Sequence, residues 1–224
     1  MSQNPVIVVR RPSESVLATN KVIKNTYMLL SMTLLFSALT AWISMRMNMP
    51  YMGILVTFGG YFGLLFLTSA LRNSAWGILS IFALTGFMGL TLGPVINMYL
   101  HAFSNGAELV ALAMGGTGTI FIGLSSYALT TKKDFSFMGG FLMVGILTAF
   151  LAGIAAMIFS IPLLSLAISG VFVLLMSGLI LYQTSEIIHG GETNYIMATI
   201  TLYISIYNLF MSLLHILGAV AGED

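Results

Sequence analysis

FSFMGGFLMVGILTAFLAGIAAMIFSIPLLSLAISGVFVLLMSGLILYQTS, Phe135 to Ser185, contains no charged residue. A charge at the centre of a bilayer costs a few kcal/mol or more, so charges punctuate membrane spans. One crossing needs about 20 residues. This stretch is therefore two spans, parted near Ser160-Ile161-Pro162. Outward from it the same punctuation repeats. Lys24 and Arg46 bracket one span, Arg72 closes the next, and Glu108 and Lys132 bracket another. Pro94, Asn97, His101, Ser104 and Asn105 mark the exit of the third, and the last runs from about Tyr195 to Gly218.

The reading is an all-α membrane protein, a bundle of seven transmembrane helices at about 26–45, 51–71, 75–99, 108–131, 137–159, 162–184 and 195–218. The domains are a cytoplasmic N-terminal tail over 1–25, a transmembrane domain over 26–218 and a short periplasmic tail over 219–224. Composition agrees. Of 224 residues 58% are apolar and 7% charged, which excludes a water-soluble enzyme and intrinsic disorder alike. With 8 basic against 7 acidic residues there is no field for nucleic acid. The absence of cysteine excludes disulfides and thiolate chemistry.

Basic residues set the orientation. With the N-terminus in the cytoplasm, Arg10, Arg11, Lys21, Lys24, Arg72, Lys132 and Lys133 lie inside and only Arg46 outside. An odd number of spans then puts Glu223 and Asp224 on the outer side of the membrane.

Small residues at helical spacing let helix backbones approach closely. Gly86, Gly89 and Gly93 share a face of the third span, and Gly145, Ala149 and Gly153 one of the fifth. Gly115, Gly116 and Gly123 do so loosely in the fourth. On the last span Asn194, Thr201, Ser205, Asn208, Ser212 and His215 fall within a sector of roughly 80°. Polar groups in hydrocarbon must find partners, so the last helix is expected to be central, ringed by the other six. Its stripe reads as a hydrogen-bonding seam or, alternatively, as the lining of a polar path.

Every acidic residue lies in a tail or near a predicted membrane boundary. No HExxH occurs, and Gly123-Leu124-Ser125-Ser126 with His215 as base is a weak match to a serine protease. The expectation is no enzyme, no cofactor and no metal site. Glu186, His189 and Glu192 read as a solvated cytoplasmic loop, or as a contact patch for a partner.

YALTTKKDFSFMGGF (Tyr127 to Phe141), TGFMGLTLGPVINMYL (Thr85 to Leu100) and IIHGGETNYIMATITLYISIYNLFMSLLHILG (Ile187 to Gly218) together resemble the Bax inhibitor-1, or transmembrane Bax-inhibitor-motif, family and its bacterial YccA-like branch. The resemblance covers about Lys21 to Gly218. It implies a seven-helix bundle with the last helix central, and two function classes. One is binding and modulation of an FtsH-type AAA membrane protease. The alternative is a pH-sensitive calcium or cation leak, whose aspartate pair maps onto Gln183 and Ser205, with Arg72 the nearest candidate for a latching arginine. Neither Gln183 nor Ser205 titrates, so calcium and protons have no shared carboxylate pair to compete for.

Overall fold

A computed structural model of the chain describes residues 12–222, with side chains from residue 17. Among the described residues there are seven α-helices: α1 Pro12–Arg46, α2 Ile54–Leu71, α3 Trp76–Ala102, α4 Gly106–Thr131, α5 Gly139–Ile158, α6 Pro162–His189 and α7 Tyr195–Ala221. A single 3₁₀ turn, Ser136–Met138, leads into α5. Every α-helix is long and apolar enough to cross a membrane. The predicted break in the longest charge-free stretch is present. Ser160 takes a positive φ of 51°, and Pro162, whose missing N–H costs nothing at a helix start, opens α6.

The ends differ from the sequence reading. α1 begins at Pro12, so residues 12–25 of the expected tail are helical, and Lys21 and Lys24 are exposed on its early turns. Arg10 and Arg11, expected in the same tail, lie outside the described residues, as do Glu223 and Asp224. α6 continues to His189, so Glu186 and His189 sit on its last turns rather than in a loop. Gly190, at φ 78°, ends that helix in the left-handed region, and the N–H groups of Gly190, Gly191 and Glu192 all donate to Glu186 O.

α1 and α3 form a closely packed pair, and the glycines explain it. A Cβ on Gly86 would strike the Phe36 ring. One on Gly89 would strike the Ser37 carbonyl and Thr40 Oγ1, and one on Gly93 would strike Ser44. Pro94 lies inside α3 and has no N–H for the carbonyl of Leu90. Ser44 of α1 fills that vacancy by donating to Leu90 O at 2.8 Å, and Asn97 Nδ2 donates to Met45 O at 3.1 Å. The helix therefore runs through the proline. In α5, Gly145 makes room for Leu175 of α6. The expected glycine face of α4 is not a packing surface. Gly115 and Gly123 face open space, and Gly116 touches only the tip of Leu213.

α7 packs against α1, α3, α4 and α6. It is not ringed by all six helices. α2 packs extensively only on α3, and α5 only on α6 and the 3₁₀ turn. The interior is shared by α7 with α3, whose buried residues run from Gly77 to Tyr99.

A Gly89→Ala substitution is expected to lower stability by about 1–3 kcal/mol, the usual cost of overpacking against fixed atoms. Gly63→Ala, whose Cβ meets open space, serves as the control. Thermal melts of the two purified variants check this.

Candidate functional site

α7 begins with a cap that ties two loops together. Asn194 Oδ1 accepts from the N–H groups of Ile196 and Met197, satisfying donors that the first helical turn leaves orphaned. Its Nδ2 donates to Arg72 O at 3.0 Å and Asn73 Oδ1 at 2.8 Å, and its own N–H donates to Glu192. Asn194 is thus a cap at the bundle's end, not the first member of the interior stripe. Arg72, beside it, is exposed, and its backbone carbonyl makes the tie.

Of the rest of the stripe, Thr201, Asn208 and His215 are only half-buried, and most members bond to their own helix. Thr201 Oγ1 donates to Met197 O, Ser205 Oγ to Thr201 O at 2.7 Å, and Asn208 Nδ2 to Ile204 O at 2.9 Å. Ser205 is fully buried and Ser212 is buried. His215 alone is recorded reaching across, its Nδ1 lying 2.7 Å from Ser169 Oγ of α6. Ser169 also donates to Ser165 O. A hydroxyl has one proton, so both contacts are met when His215 Nδ1–H donates to Ser169. That is the reverse of a base drawing a proton from a nucleophile. Ser125 is buried and its Oγ has no partner, so the Ser125–His215 pairing is not assembled.

The polar joint between helices lies on the other side of α7, about 200° around the helix from Ser205. Tyr203 is 1% exposed. Its hydroxyl donates to Thr85 O of α3 at 3.3 Å and lies 2.6 Å from Ser37 Oγ of α1. With the tyrosine proton directed at Thr85, Ser37 is the donor to Tyr203. One turn earlier, Thr199 Oγ1 is shared between Tyr195 O and Thr26 O of α1. One turn later, Tyr207 lies a long 3.5 Å from Thr91 of α3. Sequence reasoning missed this face because tyrosine counts as apolar. The available signal was the i, i+4, i+8 spacing of Thr199, Tyr203 and Tyr207 in a helix with no lipid-facing excuse for hydroxyls.

Gln183 is buried in α6, with Nε2 unpartnered. Its neighbour Thr184 bonds Tyr27 of α1 at 3.2 Å. Below it, Ser185 Oγ accepts the Phe135 N–H at 2.9 Å, and His189 Nε2–H donates to Lys132 O at 3.1 Å. The loop joining α4 to α5 is thereby fastened to the end of α6. Within that loop Asp134 accepts the Ser136 N–H, which holds its carboxyl below the usual carboxylate range. A depressed carboxyl contributes stability above its unfolded pKa and loses it as pH falls through the folded value.

Tyr203→Phe is expected to cost about 1–3 kcal/mol, because it unpairs buried groups on two other helices. Ser205→Ala removes only a bond within α7 and is expected to be near neutral. Parallel melting curves distinguish the two faces.

Comparison with known proteins follows the same outline. The family model described as inhibitor of apoptosis-promoting Bax1 matches residues 19–222. An uncharacterized protein of Pseudomonas aeruginosa is 55% identical over 203 residues, 91% of each chain. The modulator of FtsH protease YccA of Escherichia coli K12 is 52% identical over 204 residues, covering 91% of this chain and 92% of the relative. The inner membrane protein YccA of Escherichia coli O6:H1 matches with the same identity and coverage.

Proposed function

This chain belongs to the Bax inhibitor-1 family, and on that footing we propose that it binds an FtsH-type AAA membrane protease and modulates its digestion of membrane proteins, without catalysis of its own. The observation that carries this reading is the 52% identity, over 91% of this chain, to a protein named as a modulator of that protease. The chain is a multi-pass protein related to an inner-membrane one.

The physical picture is a bundle that resists extraction. Its α1–α3 pair is packed backbone to backbone, and its few charges sit at the helix ends. A protease that pulls on such a bundle is occupied by it. The end bearing Lys21, Lys24, Arg72, Lys132 and Lys133 is assigned to the cytoplasm, which puts the C-terminus in the periplasm. Hydrogen bonds from Asn194 and His189 hold Arg72 and Lys132 at that same end. Glu186, His189 and Glu192 stand there too, as the surface offered to a cytoplasmic partner, and the exposed Lys21 and Lys24 of α1 supply a handle. A cation leak finds less support, since Gln183 and Ser205 supply no carboxylate.

Crosslinking of intact membranes followed by purification of this protein is expected to bring down the AAA protease, and deletion to change the turnover of membrane proteins. Absence of the protease from the crosslinked material, together with unchanged turnover, would overturn the reading.

A further inference from the structure

α2 and α5 lie on the same side of the bundle without extended backbone packing between them. The gap is a cleft of about 660 Å³, floored by α7 and walled by α3 and α6. It is lined at the height where α7 passes Ile204 to Asn208, near the middle of that 27-residue helix. Its rim includes Met143 and Leu147, both exposed on the lipid-facing side. Entry is therefore sideways, from hydrocarbon.

The walls are aromatic and uncharged. Phe58, Phe62, Phe87, Phe150 and Phe172 line them, and no lining residue carries a charge. Phe58 meets Phe150 edge-on at 6.0 Å and stacks on Phe62 at 6.1 Å, so rings bring α2 against α5 at this point. A few oxygens interrupt this apolar lining. Thr57 Oγ1 is buried and has no hydrogen-bond partner. Asn208 uses Nδ2 on its own helix, and its amide oxygen makes no hydrogen bond among the described residues. Thr91 donates to Met88 O, so Tyr207 directs its proton at Thr91 and keeps lone pairs free.

Size and chemistry narrow the occupant. The volume lies inside the range of small-ligand sites, about 300–1,000 Å³. A crossing helix, a cylinder about 10 Å wide and 30 Å long, needs about 2,400 Å³ and does not fit. A charged headgroup or carboxylate would be left unpaired. A plain acyl chain would leave Thr57 unpartnered and would forgo the added gain that ring faces draw from stacked and edge-on aromatic neighbours. We propose that this cleft binds an uncharged membrane-dissolved lipid whose flat ring carries a carbonyl or hydroxyl oxygen, a quinone-like molecule, with the ring packed against the Phe58–Phe150 pair and its oxygen on the Thr57 hydroxyl, which turns toward the cleft to meet it. The proposal is independent of the protease reading.

The test uses the full-length protein in nanodiscs of phosphatidylethanolamine and phosphatidylglycerol. A short-tailed benzoquinone bearing a photoreactive group is expected to crosslink to α2 and α5 around Phe58 and Phe150, and the unlabelled quinone to compete. Thr57→Val keeps the shape, removes the hydroxyl and should weaken competition about fivefold to tenfold, the worth of one hydrogen bond, with the melting temperature unchanged. Three results would each overturn the proposal. They are labelling spread evenly over the lipid-facing surface, cleft labelling by a photoreactive phospholipid acyl chain that the quinone does not displace, and unchanged competition in the Thr57→Val protein.

Discussion

The hydroxyl of Tyr203 has nowhere to go but protein. It is buried where no water competes, and it is held by Ser37 of α1 and the Thr85 carbonyl of α3. Hydrocarbon offers no substitute partner, so the three helices must keep their relative height and rotation for these groups to stay paired. The glycine contacts work with this constraint. Gly86, Gly89 and Gly93 draw α1 against α3, which brings Ser37 and Thr85 close enough to share one tyrosine. Ser44 does the same for the carbonyl that Pro94 leaves orphaned. Small residues set the distance and hydroxyls set the register.

The span pattern was legible because it rests on the most expensive term, a charge in the bilayer. Arg46, Arg72, Glu108 and Lys132 stand at or beside helix ends, and Pro162 marks the break inside the longest apolar stretch, whereas Lys24 lies inside α1. The third-span glycines were legible for a related reason, since only their spacing puts three bare backbones on one face. The stripe on α7, read as a seam between helices or the lining of a polar path, bonds mostly within its own helix. Ser and Thr can satisfy themselves on the carbonyl four residues back, and Thr201 and Ser205 do so. Periodicity says which way a hydroxyl points, not which partner it takes. The ring of six around α7 failed because amphipathicity of one helix does not specify how many neighbours cover it. The bare face of Gly115 and Gly123 shows the same limit for small residues.

The two ends and the middle of the molecule do different things. At the end bearing most basic residues, Asn194, His189 and Ser185 pin two connecting segments, α2–α3 and α4–α5, to helix termini, so the loops there are fixed by side chains rather than left to solvent. In the middle, α2 leaves the bundle's interior and leans on α3, opening the aromatic cleft beside α7. A tightly joined α1–α3–α7 unit with a loosely covered flank fits the two proposals, a hold on a pulling machine and a cleft open to lipid.

The link between the Tyr203 joint and the proposed role is that a well-joined bundle holds a membrane protease without being consumed. The most direct measurement is the rate at which a purified FtsH-type protease degrades this protein in liposomes, intact and with Ser37→Ala and Tyr203→Phe combined. The intact protein is expected to persist and to slow digestion of a second membrane substrate, while the loosened one is degraded and loses that effect. Equal, rapid degradation of both would contradict it.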